Sequence, residues 1–319
     1  MLIYLYFDVL NMVSLQYNSL QVKKIEKHVA LKQNIPIRLS DYVPGIFQAI
    51  VSKKGMKKAI ESGLVTVDGQ AAYTSTYING GEIIVLHKKD SKHALPTIDL
   101  ELEVLFEDDY LAILNKPAGI VVSGNKLTNI VNALPTCLQP SPLPDALERP
   151  MPAHRLDFAT SGVLLIGKTA QGLTALNKLF ENKKITKTYN AITIGKMPES
   201  GLQDDTIKNK KATTAFKVLQ KIPSPKFGFI NVVELKPTTG RRHQLRIHMN
   251  TIGNPILGDQ TYFKEGQVLK GKGLFLHALS LDFIHPFTDE KVSVTAELPA
   301  KFVRIINNTI GRKKSEEEE

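Results

Sequence analysis

The chain has 319 residues, is 42 % hydrophobic and 23 % charged, and carries 41 Lys and Arg against 31 Asp and Glu, a net +10. That balance excludes general disorder, and the length predicts two domains with a core large enough to need no covalent staple. A single cysteine, Cys137, excludes a disulfide framework and any multi-cysteine metal site, and the excess positive charge directs partners toward polyanions, nucleic acid before an anionic membrane.

In chain order, residues 1–30 show no clean period and are left as an unassigned extension. Met1–Leu20 is mildly apolar but is interrupted by Asp8 and Asn11 and preceded by no cation, a poor signal peptide. No run approaches the roughly 20 apolar residues that span a bilayer. A cytoplasmic protein with no membrane partner is the expectation.

Residues 31–92 predict a small α/β domain and its linker. Ser52 is placed to cap a helix whose Met56, Ala59 and Ile60 fall at helical spacing and which Gly63 stops. Leu64–Val67 and Glu82–Leu86 read as strands, with an Asp68-Gly69 turn after the first. The helix bears Lys53, Lys54, Lys57 and Lys58, two like-charge i,i+4 pairs that disfavour it by a few tenths of a kcal/mol each. Such a face suits phosphates; a merely solvated lysine face is the plainer reading.

Residues 93–311 predict a larger α+β domain. Short strands are read at 102–106, 110–114, 163–166, 188–194, 215–219, 229–235, 274–281 and 292–295, and helices at 170–182, 242–252 and 300–308, without βαβ alternation. Six of the 17 prolines fall between Pro135 and Pro152, which predicts a loop there. Residues 312–319 end in a Glu run and are expected to be a disordered charged tail.

Three stretches carry candidate chemistry. His154-Arg155-Leu156-Asp157-Phe158-Ala159-Thr160-Ser161-Gly162 leads into the apolar strand from Val163. Asp157, between Leu156 and Phe158, either caps a turn or is a carboxylate held for work, and spacing alone favours the cap. Lys187-Thr188-Tyr189 opens a strand, with Tyr189 readable as a buried phenol. Thr239–Met249 leads into the helix read at 242–252, with Leu245, Met249 and Ile252 on an apolar stripe and Arg242, Arg246 and Asn250 beside it. His243 and His248 are five apart, off the spacing of a helical metal pair, so no metal is expected. An Asp in a loop and an Arg-rich helix would make a charged, oriented carboxylate if they meet. No phosphate-cradling glycine motif or G-x-S-x-G elbow is present.

Together these stretches resemble motifs of the RluA-type pseudouridine synthases: H-R-L-D-x-x-T-S-G at 154–162, K-x-Y-x-A at 187–191 and G-R-x-H-Q-L-R-x-H at 240–248. Lys116-Pro117-Ala118-Gly119 is similar to the family's upstream turn, and Asn254–Asp259 and Leu276-His277-Ala278 continue the match in order. The resemblance spans about residues 98–305, and the segment at about 37–87 is similar to an S-four-type RNA-binding domain. It departs from the family at Ser123-Gly124-Asn125, and Pro44-Gly45 interrupts the small domain's first expected helix.

The resemblance implies a pseudouridine synthase fold, a long mixed, largely antiparallel sheet with a central active-site cleft, preceded by the small RNA-binding domain. It implies isomerisation of specific uridines in structured RNA through an Asp-dependent mechanism on a flipped-out base, without cofactor or metal. Ribosomal large-subunit RNA is the expected substrate, transfer RNA the alternative, and a monomer the expected state. By the same resemblance Asp157 would be the catalytic carboxylate, Tyr189 would stack on the base and Arg246 would pair with Asp157. His154, Arg155, Lys187, Arg242 and Leu276 would bind substrate, and Lys53, Lys54, Lys57 and Lys58 would bind RNA. A non-catalytic RNA-binding relative and an Asp157-dependent nucleoside hydrolase are the competing classes.

Overall fold

A computed structural model describes residues 23–50, 52–88, 96–263 and 271–317, in two compact units divided between Leu95 and Pro96. In chain order the first unit runs β1 (Lys23–Val29), β2 (Ile37–Arg38), α1 (Leu39–Tyr42), α2 (Lys53–Glu61), β3 (Val65–Val67), β4 (Gln70–Ala71), β5 (Tyr77–Ile78) and β6 (Ile83–Lys88). A four-stranded sheet has the order β1-β6-β3-β4, and β2 pairs with β5. Met56, Ala59 and Ile60 bury against Leu39, Val43, Phe47, Ile78, Ile84 and Leu86. Ser52 caps α2 by accepting a hydrogen bond from the Gly55 amide at 3.1 Å. The β3–β4 turn uses Asp68 and Gly69, both at positive φ (50° and 81°), the geometry that lets a two-residue loop follow strand twist. The segment left unassigned before residue 30 contains β1, whose KKIEKHV run pairs with β6 without any alternation that would have marked it as a strand.

The second unit runs β7 (Glu103–Glu107), β8 (Leu111–Lys116), α3 (Ile130–Cys137), β9 (Ala146–Pro152), β10 (Ser161–Thr169), α4 (Ala170–Glu181), β11 (Thr186–Ile194), β12 (Ser200–Ile207), β13 (Lys210–Ser224), β14 (Gly228–Pro237), α5 (Gln244–Thr251), β15 (Leu276–Ile284), β16 (Lys291–Thr295) and α6 (Ala300–Glu317). Among the described residues ten strands form one sheet in the order β12-β13-β14-β11-β15-β10-β8-β7, with β16 on β15 and β9 on β10. Every pairing is antiparallel except β10 with β15, where Ser161 opposes His277 and Gly162 opposes Ala278. One core gathers around β8, β10, α3 and α4, the other around β11, β14, α5 and α6, and Tyr189 packs against both. The centre of the sheet, where the two cores adjoin, is therefore also where the loop before β10 opens.

Four expectations are corrected here. The proline-rich stretch holds α3, with Pro135 inside it, and β9; prolines are tolerated in β9 because it is paired only on its β10 side. β12 was missed because its SGLQDDTI sequence is exposed almost throughout and has no apolar alternation. Arg242 lies outside α5, which begins at Gln244 after His243 in a left-handed conformation (φ 58°). α6 continues through Glu317 where a disordered tail was expected from residue 312; Arg, Lys and Glu are good helix formers. Residues 89–95 of the expected linker lie outside the described residues.

The parallel pair demands a glycine. At Gly162 φ is 111°, and an added Cβ would lie 2.0 Å from the Ala278 carbonyl oxygen. Gly162→Ala therefore forces β10 and β15 apart and costs about 3 kcal/mol or more, read as a lower midpoint in denaturant unfolding. A midpoint equal to that of the parent chain would show that the close approach is not required.

Candidate active site

The loop from His154 to Thr160 turns tightly before entering β10. Its turn hydrogen bond runs from the Thr160 amide to the Asp157 carbonyl oxygen at 3.1 Å, so the backbone closes the turn and the carboxylate is left to face a cavity. Lys116, fully buried at the end of β8, donates from Nζ to the carbonyls of Pro117 and Thr160, both at 2.8 Å. It thus ties the 116–119 turn to the Asp157 loop.

Asp157 Oδ2 lies 3.5 Å from Arg246 Nη1, and Oδ1 lies 3.8 Å from His243 Nε2. The tighter partner of Arg246 is Asp259: Nε donates to Oδ2 at 2.7 Å and Nη2 to Oδ1 at 2.8 Å. This two-pronged pairing fixes the guanidinium plane and leaves Nη1 for Asp157. Asp259 Oδ1 also accepts from the amides of Thr261 and Tyr262, at 2.8 and 3.0 Å. Burial alone would push the Asp259 carboxyl up, but Arg246 and those two amides outweigh it and hold it below the usual carboxylate range. Arg246 is likewise held above its ordinary value, its burial being outweighed by Asp259 and Asp157. The Arg246 guanidinium lies 5.1 Å from the centre of the Tyr262 ring, and the Tyr262 hydroxyl is 3.0 Å from His243 Nδ1. Burial, reinforced by Arg246 and Arg242, lowers His243 against the pull of Asp157, so its ring is neutral at pH 7.

Tyr189 and Lys187 lie two apart on β11 and therefore share a face, and both line the cavity. Burial first, and the charge of Asp157 second, raise the Tyr189 phenol and keep it protonated. Burial lowers Lys187, whose Nζ donates to the Thr239 carbonyl at 3.2 Å. His154 Nε2 accepts the Leu165 amide at 3.0 Å, and its ring packs 4.9 Å from that of Phe180. Burial first, then Lys187, lower His154 to about 3, so it stays neutral and offers the cavity an uncharged face.

A cavity of about 400 Å³ is lined by His154, Arg155, Asp157, Lys187, Tyr189, Arg242, Arg246 and Leu276, all eight residues singled out in this unit. A second of about 520 Å³ shares Arg155, Asp157, Arg242, His243 and Arg246 and is bounded by Gly258–Thr261. Asp157 stands in the wall common to both. Leu276 is buried, whereas Arg155 and Arg242 are exposed at the rim. The four lysines of α2 belong to the other unit; all are exposed, with Lys53 paired to Asp41 at 2.7 Å and Lys57 to Glu61 at 3.9 Å.

The RNA pseudouridylate synthase family matches residues 110–251, which takes in the Asp157 loop, β11 and α5. Ribosomal large subunit pseudouridine synthase D of Xanthomonas campestris pv. campestris is 30 % identical over 287 residues, covering 80 % of this chain and 84 % of that protein. The chain belongs to the RluA-type pseudouridine synthases. The tRNA pseudouridine synthase C of Vibrio parahaemolyticus is 34 % identical over 228 residues, 62 % of this chain and 91 % of that protein. Human RNA Pseudouridylate Synthase Domain Containing 4 superposes with a TM-score of 0.51 at 25 % identity, covering 63 % of this chain and 90 % of that one. The ten-stranded unit is thus the α+β pseudouridine synthase fold, and the synthase is an RNA uridine isomerase.

Sequence reasoning missed Asp259, Tyr262, His243 and Lys116 as parts of this synthase site. Lys116 and Asp259 stood in recognised motifs but had no role attached, and His243 was weighed only as a metal ligand. Burial of Lys116 makes its own prediction. The group loses its proton near 8 when folded, because burial outweighs the attraction of Asp157, and near 10.5 when unfolded. Between these values the unfolded chain binds more protons, so stability rises with pH across that window, by at most about 3 kcal/mol. In Lys116→Met that rise is reduced to the share left by Lys187 and Lys301, whose amines burial also lowers, as urea unfolding at about pH 7.5 and about pH 9.5 would show; an unchanged rise would assign the effect to those groups alone.

Proposed function

We propose that this synthase isomerises uridines in ribosomal large-subunit RNA, with Asp157 as the catalytic carboxylate. The observation that carries the reading is the Asp157–Arg246–Asp259 chain: a carboxylate at a cavity wall, 3.5 Å from a guanidinium that a second, buried carboxylate holds in place. The reaction breaks the bond from C1′ to N1, rotates the uracil and joins C5 to C1′; C5 loses a proton and N1 gains one. An ionised oxygen near the sugar can attack C1′ or take the proton from C2′, and both routes need the carboxylate aimed from the wall where Arg246 steadies it.

Tyr189 packs against the uracil, and its raised pKa suits a stacking face better than a phenolate base. Leu276 and the neutral ring of His154 supply apolar walls, Lys187 a hydrogen-bond donor, and Arg155 and Arg242 phosphate contacts at the rim. The target must leave its stack at a cost of a few kcal/mol, which phosphate contacts offset. The first unit adds a basic RNA-binding face through Lys53, Lys54, Lys57 and Lys58. With this substrate goes our reading of the enzyme as a monomer that works in the cytoplasm, where RNA of this class is assembled into ribosomes. The large-subunit assignment is supported by the relatives so named; a tRNA enzyme is among them too.

The test is incubation with ribosomal RNA and, separately, with transfer RNA lacking modification, followed by carbodiimide labelling and reverse transcription. New stops in large-subunit RNA are expected. Stops only in transfer RNA would move the substrate, and release of free uracil without stops would replace isomerisation with hydrolysis.

A further inference from the structure

The first unit carries two aromatic rings that its fold does not use. Tyr73 and Tyr77 are 72 % and 55 % exposed, and among the described residues neither phenol oxygen makes a hydrogen bond. Exposed tyrosines are common singly, but these two flank one short turn whose backbone is closed at several points. The Thr76 amide donates to the Tyr73 carbonyl at 3.0 Å, and the Tyr73 amide to Thr76 Oγ1 at 2.9 Å. The turn is docked on the start of α1, with the Leu39 amide donating to the Thr76 carbonyl at 2.7 Å and the Ser40 amide to that of Thr74 at 3.4 Å. The rings are therefore presented from a fixed backbone, and a tyrosine loses little rotamer freedom on contact.

The surroundings of Tyr77 are cationic. Tyr77 stands directly opposite Arg38 in the β2–β5 pair, so the two side chains leave the same face, and Arg38 is exposed. Beyond Arg38, α1 carries Asp41, to which Lys53 of α2 is joined, and the rest of the α2 lysine face follows: Lys54, Lys57 and Lys58. Of these, Lys54 and Lys58 form no ion pair among the described residues. Aromatic faces beside a run of cations match the chemistry of single-stranded nucleic acid, whose bases stack while its phosphates pair. A duplex offers phosphates but hides its base faces. A protein partner would use the rings but gain little from the lysines.

We propose that Tyr73 and Tyr77 form a stacking platform for unpaired RNA bases, with the adjoining phosphates held by Arg38 and the free lysines of α2. The platform extends the RNA reading given above by naming the kind of RNA this unit takes, a loop or single-stranded segment.

The test uses the full chain, a uridine-rich single-stranded oligoribonucleotide, and a duplex of the same length. Tyr73→Ala/Tyr77→Ala is expected to bind the single strand at least about tenfold more weakly, with duplex binding and the salt dependence of affinity unchanged, since stacking releases no counterions. Tyr73→Phe/Tyr77→Phe is expected to bind as the parent does, because it keeps the faces and removes only the hydroxyls. Lys54→Ala/Lys58→Ala is expected to flatten the salt dependence instead. Both tyrosines are exposed, so the melting temperature of each variant should match the parent and separate lost binding from lost fold. Unchanged single-strand affinity in the alanine variant would overturn the platform, as would equal losses on single strand and duplex, or a change in oligomeric state in place of RNA affinity. Pseudouridine formation by the parent chain is scored separately: its absence would remove the isomerase reading while leaving the binding comparison to decide the platform.

Discussion

Asp157→Asn lowers turnover by about 10³-fold or more while affinity for RNA stays within a few-fold. The substitution keeps the size and shape of the side chain and removes only the charge. The loop does not depend on that charge, since its turn is closed by the Asp157 carbonyl and held by Lys116. Arg246 remains anchored through Asp259. What is lost is the ionised oxygen at the wall of the cavity. Single-turnover assays of tritium release from C5-labelled uridine, beside filter-binding measurements, give the two quantities. Turnover within tenfold of the parent would remove Asp157 from the chemistry, and a parallel loss of affinity would make it a binding group.

Arg246→Leu reduces both rate and stability, and the two losses separate in a second variant. With the guanidinium gone, the fully buried Asp259 carboxylate is left without its cation, a fault of about 3–5 kcal/mol. In a unit of this size that lowers the melting temperature by about 10 °C. The rate falls about 10²-fold or more, because Asp157 loses the group that aims it. In Arg246→Leu/Asp259→Asn the buried charge is removed as well, while an amide oxygen can still accept the Thr261 and Tyr262 amides. Most of the stability should return and the rate should not. Recovery of the rate together with stability would mean that Arg246 serves the fold alone.

An Asp loop meeting an Arg-bearing helix was foreseeable from residue types, and the family resemblance, not spacing, singled out Arg246 over Arg242. Asp259 was not, because it approaches Arg246 from a loop 13 residues on, and no periodicity reports which side chain fills the other side of a guanidinium. The cap of α2 and the burial of Met56, Ala59 and Ile60 were legible because they depend on neighbours along one helix. β9 was hidden by its prolines, β12 by its exposure, and β1 by the lack of alternation in its charged run. The start of α5 shifted because His243 takes a left-handed backbone, a conformation that a non-glycine residue adopts only when its surroundings impose it.

The parallel pairing of β10 with β15 also sets an order of events. It joins residues 116 positions apart, such as Ser161 and His277, and β15 is the strand inserted between β10 and β11. Contacts of such long range close late in folding. A nascent chain can complete its N-terminal unit long before β15 has been synthesised, but the catalytic cleft has no floor until that strand arrives. During synthesis the N-terminal unit can therefore be complete while the wall around Asp157 still waits for its last central strand.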